Sequence, residues 1–347
     1  MYEAYYRLTA KPFQLNPDPS FFFGSRGHKR AFAYLEYGLY QSEGFIVITG
    51  EIGAGKTTIV RSLLEQLDPS KVVAAQIVST QLDADEMLRA VGVAFGLPVR
   101  TVDKAVLLAS IEAFLCQLVL DKKRALLVVD EAQNLSDRAL EELRMLSNFQ
   151  LGDQALLQSF LVGQPELRRM MQGPQMQQLR QRVIASYHLG PLDPGETRSY
   201  VEHRLRHVNW LDDPHFEPEC FELIHLHSGG IPRQINMLCN RLLLAAYLVE
   251  KHVLTAEDVK AVAREIDEEL GPDPTRRGMS VVPSGGTPAG ESMLPMRSDP
   301  KFDIRHIEQL DERMDRLERT VSTAMDLLHR LLHPDKSGNE PGTGTGR

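Results

Sequence analysis

A chain of 347 residues, 42% hydrophobic and 25% charged, has the composition of a folded globular protein of two or three domains, which excludes a disordered or fibrous one. The formal net charge of −8 argues against a protein that coats nucleic acid as its main task. The longest apolar-rich stretches, Ala105–Leu120 and Leu242–Val249, are interrupted by Glu112 or fall far short of the ~20 residues a membrane span needs. Residues 1–20 carry Glu3, Arg7, Lys11 and prolines instead of an apolar signal segment, so the expected location is cytoplasmic, with any approach to the inner membrane made through a partner. Cys116, Cys220 and Cys239 are odd in number, far apart and set in apolar helix-like segments, which speaks against a disulfide framework or a zinc site.

In chain order, residues 45–190 alternate short apolar runs with helical patterns. The runs are Phe45–Thr49, Val72–Val78, Ala125–Val129, Ser159–Val162 and Ala185–Leu189, apolar almost throughout, as strands buried on both faces of a parallel sheet must be. Amphipathic helices are predicted over Lys56–Leu67, Ala84–Phe95, Asp103–Leu120 and Ser136–Phe149. That alternation predicts a three-layer α/β domain over residues 1–190. From 191 to 270 the strand signal stops, and helices are predicted over Pro194–His207, Pro218–His227, Pro232–Lys251 and Ala256–Leu270, with prolines near the first three starts and Thr255 capping the last. This reads as a small helical second domain. Residues 271–300 hold six prolines and five glycines and read as a flexible linker. Over 301–333, Ile307, Leu310, Met314, Leu317, Val321, Ala324, Leu328 and Leu331 keep spacings of three and four, the pattern of a coiled-coil helix or, alternatively, of a lone amphipathic helix. Residues 334–347 are rich in glycine and read as a disordered tail.

The strongest chemical signal is Gly50, Glu51, Ile52, Gly53, Ala54, Gly55, Lys56 and Thr57, which fits the phosphate-binding pattern G-x-x-x-x-G-K-[ST] between a strand and a helix. Glycines there let the backbone curl so that several N–H groups face one anion, reinforced by the helix N-terminus. Lys56 would reach the β- and γ-phosphates of ATP, Thr57 would hold Mg²⁺, and Thr58 supplies a second hydroxyl near the α-phosphate. About 75 residues on, Leu126–Val129 delivers Asp130 and Glu131 at a strand's carboxyl end. Asp130 would join Thr57 at Mg²⁺, and Glu131 would polarise the water that attacks the γ-phosphate. Three more positions complete the set. Gln164 follows a strand and is placed to sense the γ-phosphate; Arg182 precedes the last strand and would enter a neighbouring subunit's site; Arg233 opens a second-domain helix and would reach back over the nucleotide. From spacing alone, without the phosphate loop and the acidic strand end, each of these three reads more readily as a solvated surface residue.

This order of features resembles the AAA+ ATPases. More narrowly, Pro12-Phe13, Pro17-Asp18-Pro19, His28, Val128–Gln133, the run from Gly163 to Leu167, Tyr187-His188-Leu189 and Gly229–Arg233 resemble the general secretion pathway A-type ATPases and their relatives at exosortase/PEP-CTERM exopolysaccharide loci. The resemblance covers residues 1–270 and implies an AAA+ core with a helical lid, ATP hydrolysis in a homo-oligomer, Arg182 acting in trans, Arg233 in cis, and a lead-in that helps shape the adenine pocket around Phe13 and His28, for both of which a packing role stands as an equal alternative. It also implies a continuation into a transmembrane helix and a periplasmic peptidoglycan-binding domain, for which these residues carry no pattern, so no cell-wall contact is expected. Gln164 departs from the Asn or Thr common at that place. The expected function is Mg²⁺-dependent ATP hydrolysis serving protein secretion or exopolysaccharide assembly, with a protein partner bound through 301–333. Two alternatives stand beside it: a DNA-associated ATPase of the transposition-helper type, and a nucleotide-gated scaffold with little turnover.

Overall fold

Apolar runs that bury both faces dictate the centre of the molecule. The computed structural model describes residues 1–16, 18–78, 81–99 and 103–270. Within them, β1 (Phe45–Gly50), β2 (Val72–Val78), β3 (Arg124–Asp130), β4 (Leu157–Gly163) and β5 (Val183–Leu189) form one five-stranded sheet in the order β2-β3-β4-β1-β5. Every neighbouring pair in it is parallel. Successive side chains on a strand point to opposite faces, which splits the core in two. Phe45, Val47, Leu127, Val129, Leu157 and Leu161 meet α3 (Ala84–Ala94), α4 (Lys104–Leu120) and α5 (Asp137–Leu146). Ile46, Ile48, Leu126, Val128, Phe160 and Val162 meet α1 (Arg26–Gln41) and α2 (Lys56–Gln66) on the other face. The three layers therefore stand as expected. β1 and β4 are buried along their whole length and β3 from Ala125 on, whereas β2 and β5 are half-buried edges.

Helix α6 (Pro165–Met171) follows β4 directly, with Pro165 in its first turn where no backbone N–H is needed. Beyond β5 lie α7 (Pro194–His207), α8 (Pro218–Ser228), α9 (Pro232–Leu248) and α10 (Ala256–Leu270). Asp193 and Glu196 close a capping box at the start of α7. His215–Phe216 and Val253–Leu254 pair as a short parallel clip between α7–α8 and α9–α10. Thr255 uses its hydroxyl to donate to Asp258 (2.8 Å), which also accepts from the Thr255 backbone N–H (2.7 Å).

One expectation is corrected. The lead-in was assigned to the sheet domain, but Tyr2, Tyr6, Leu8, Phe13 and Phe21 pack into the same core as Leu192, Tyr200, Leu205, Cys239 and Leu243. The reason is chemical fit: the sheet's faces are already covered by α1 to α5, while the helical unit offers apolar surface and a cation, Arg204, that the lead-in's carbonyls satisfy. Among the described residues, no helix is long and apolar enough to cross a membrane. The linker, coiled-coil helix and tail expected over 271–347, and Pro17, lie outside the described residues.

Candidate functional site

Open parallel sheets leave a crevice beyond the carboxyl ends of their strands, and the chemistry collects there. β1 stops at Gly50 and the chain curls through Gly53 (φ +82°) and Gly55 (φ +98°) into α2, conformations that side-chain-bearing residues avoid. Space forbids a side chain as well. A Cβ on Gly53 would lie 2.3 Å from Arg233 Cβ, and one on Gly55 would lie 2.6 Å from His28 Nε2. Lys56 is buried and folds back over the loop, its Nζ donating to Gly50 O (2.7 Å) and Glu51 O (2.9 Å). Burial pulls its pKa down, while the charges of Glu131, Asp130 and Glu51 push it back up. Thr58 is half-buried in the first turn of α2.

β3 ends beside this loop and brings in the acids. The Thr57 hydroxyl donates to Asp130 Oδ2 (3.0 Å), and the Glu131 backbone N–H donates to Asp130 Oδ1 (3.0 Å). Asp130 is buried, and that burial raises its pKa above the ordinary value against those two hydrogen bonds. Glu131 Oε2 accepts from Gln133 Nε2 (2.6 Å) and from Gln164 Nε2 (3.1 Å). Burial alone would raise the Glu131 pKa, but the two amides and the Lys56 charge outweigh it and hold the carboxyl below its usual range. The structure thus brings Lys56, Thr57, Asp130, Glu131 and Gln164 to one end of the sheet.

Comparison with known proteins follows from this arrangement. Residues 39–171, which include the phosphate loop, Asp130, Glu131 and Gln164, match the family model described as AAA domain. The match covers less than half of the chain, and it is the part that holds the loop and the acids. It is also 34% identical over 336 residues to general secretion pathway protein A of Aeromonas hydrophila, across 94% of this chain and 61% of that protein, so it spans about three fifths of its relative's length. Among solved structures, Cdc6p from Pyrobaculum aerophilum superposes with a TM-score of 0.55 at 16% identity, over 78% of this chain and 74% of that one. Aeropyrum pernix ORC1, solved in complex with DNA, gives 0.54 at 17%, over 75% and 70%. At such identities the likeness concerns the fold.

The remaining expected residues lie around this crevice or far from it. Arg233 stands at the start of α9, its backbone N–H donating to Gly53 O (3.2 Å) and its side chain exposed, so the helical unit rests directly on the phosphate loop. Arg182 is elsewhere. Val183 pairs with Phe45 and Leu189 with Gly50, which puts Arg182 at the opposite end of the sheet, about 17 Å of strand away from the loop. There its guanidinium donates to Ser147 O (2.8 Å) and Ser147 Oγ (3.0 Å). Phe13 takes the packing alternative: at 1% exposure inside the helical core it has no face to offer an adenine ring. His28 does touch the loop, with Nε2 3.1 Å from Ala54 O and Nδ1 2.6 Å from Ser25 Oγ, and burial lowers its pKa. Neutral His28 fits these partners, donating from Nε2 and accepting at Nδ1. Gln133 was missed as a site residue. Its place two positions after Glu131 carries no spacing signal, because only the turn between them brings the two side chains together.

Proposed function

We propose that this chain binds and hydrolyses ATP with Mg²⁺ as a subunit of an AAA+ homo-oligomer, serving a protein secretion or exopolysaccharide assembly system. The observation that carries the reading is the Thr57–Asp130 contact (3.0 Å) at the mouth of a loop that already holds a buried lysine. A hydroxyl and a carboxylate are hard oxygen donors of the kind magnesium accepts beside phosphate and water, and the glycine cradle leaves the space that a Cβ would fill. The residues therefore fit the ion, which when bound would neutralise phosphate charge. Lys56 would exchange its carbonyl partners for phosphate oxygens, and backbone N–H groups of the loop would bind the remaining charge. Glu131, ionised and held by two amides, would take the proton of the attacking water, and Gln164 would feel the γ-phosphate through the same carboxylate. Arg233 would close over the nucleotide from its own subunit, and Arg182, too far to act in its own site, would enter the neighbour's. The similarity to general secretion pathway protein A supports the secretion setting, with a protein partner engaged through 301–333.

The test is ATP turnover per protomer over a wide range of protein concentration. Turnover should rise with concentration, and Arg182→Ala should stay low by about 10³-fold, the scale of an arginine finger. Turnover independent of concentration and unaffected by Arg182→Ala would end the shared-site reading. Glu131→Gln should retain nucleotide while losing about 10²-fold or more in turnover.

A further inference from the structure

The pair formed by Glu131 and Gln164 has a third member that none of the expected roles uses. We propose that Gln133 is a positioning residue for hydrolysis, a two-ended clamp that fixes the Glu131 carboxylate to the end of β4 and leaves Oε1 as the oxygen turned to water. The inference rests on the reading of Glu131 as the group that polarises the attacking water.

Three observations converge on it. First, both ends of one amide are used: Gln133 Nε2 donates to Glu131 Oε2 (2.6 Å), while Gln133 Oε1 accepts from the Gln164 backbone N–H (2.9 Å). Donor faces carboxylate and acceptor faces N–H, so the amide has one orientation that satisfies both partners. Second, the backbone is bent to allow it. Glu131 lies in the left-handed region (φ +54°, ψ +38°), a conformation that costs a non-glycine residue about 1 kcal/mol or more. It opens the 3-10 turn Ala132–Asn134, closed by Asn134 N–H donating to Glu131 O (3.0 Å), and that turn folds residue 133 back onto residue 131. Third, β4 is bare where the clamp crosses it. A Cβ on Gly163 would lie 2.7 Å from Gln133 Oε1, and the glycine has no positive φ, so space is the reason for it.

The experiment uses the full chain under saturating Mg²⁺ and ATP, with Gln133→Met, which keeps the length and removes both polar ends, and Gly163→Ala, which intrudes on the clamp. Affinity for a fluorescent N-methylanthraniloyl-ADP is measured alongside as the check on folding. Gln133→Met is expected to lower kcat by about 10- to 100-fold, the scale of a misaligned reacting group, with KM and ADP-analogue affinity within about threefold. Gly163→Ala should lower kcat in the same way by less. A fall in kcat matched by a comparable rise in KM would reduce Gln133 to a turn-former and overturn the proposal, as would wild-type kcat in Gln133→Met. If Gln133→Met no longer binds the ADP analogue, Gly163→Ala decides on the same criteria. Glu131→Gln run in parallel separates the two readings: wild-type turnover there removes Glu131 from the chemistry, whereas its loss beside an unaffected Gln133→Met sinks the clamp alone.

Discussion

Two buried cations, each 6% exposed, show what separates the two halves of this molecule. Arg204 in the helical unit donates to Pro12 O (2.9 Å) and Gln14 O (3.3 Å) and lies over the rings of Phe21 and Tyr200 at 5.0 and 5.4 Å. Both bonds come from Nη1, and its buried Nε has no partner. Lys56 at the phosphate loop also donates to two carbonyls, but these belong to Gly50 and Glu51 of the loop itself, and its surroundings depress its pKa. One cation ties together segments about 190 residues apart. The other is held in readiness by its own loop, among acids and backbone N–H groups that an anion would satisfy better. A buried charge with long-range partners builds structure, and one with only local partners in a strained loop is reserved for a ligand.

That contrast can be broken or sharpened by four substitutions, taken from the largest expected loss of stability to a gain. Phe13→Ala removes a fully enclosed ring from the helical core and should cost about 3–5 kcal/mol in denaturant unfolding. If it instead left stability intact and weakened nucleotide binding, Phe13 would belong to the site after all. Arg204→Ala should cost about 2–3 kcal/mol, through the lost carbonyl bonds and ring contacts and the detached lead-in, a loss readable as a lower Tm. Lys56→Met should leave stability within about 1 kcal/mol, because a desolvated ammonium is exchanged for an apolar chain of similar length, yet abolish measurable ATP binding. A large destabilisation would show the lysine to be structural.

Asp130→Asn works in the opposite direction. Its pKa is raised in the folded protein, so the folded state binds the proton more tightly than the unfolded one, and the stability this contributes is lost as pH rises through the folded pKa. The nucleotide-free variant should match the wild type in strong acid and become the more stable of the two as pH rises towards neutrality. Added Mg²⁺ and ATP should reverse the order, because only the wild type gains from the ion. A Tm difference that does not vary with pH would remove buried charge as its cause.

How much was legible follows the same divide. Expected strand Phe45–Thr49 is found as Phe45–Gly50 and expected Ala125–Val129 as Arg124–Asp130, since an unbroken apolar run buried on both sides leaves little freedom in its bounds. The edge strand β5 starts two residues earlier than expected, where Val183 and Ile184 are only half-buried and the pattern is weak. The hairpin pairing Gln150–Leu151 with Gln154–Ala155 went unread, being two residues long on each side and mostly exposed. Phosphate loop and acidic strand end were legible because their chemistry requires particular residues at short spacing, and the structure sets them side by side. The lead-in was misplaced because its aromatic residues follow no period; they dock one by one on helices far along the chain.

From the sequence alone came the three-layer sheet, the loop around Lys56 and the candidate acids Asp130 and Glu131, all of them encoded in local periodicity or in contiguous residues. Only the tertiary structure decided that Phe13 is core, that Arg182 lies a full strand length from its own loop, that α9 rests on Gly53, and that Gln133 grips Glu131. Those four depend on which surfaces remain uncovered once the sheet is built, and on one left-handed residue after β3, which no pattern of residue types announces.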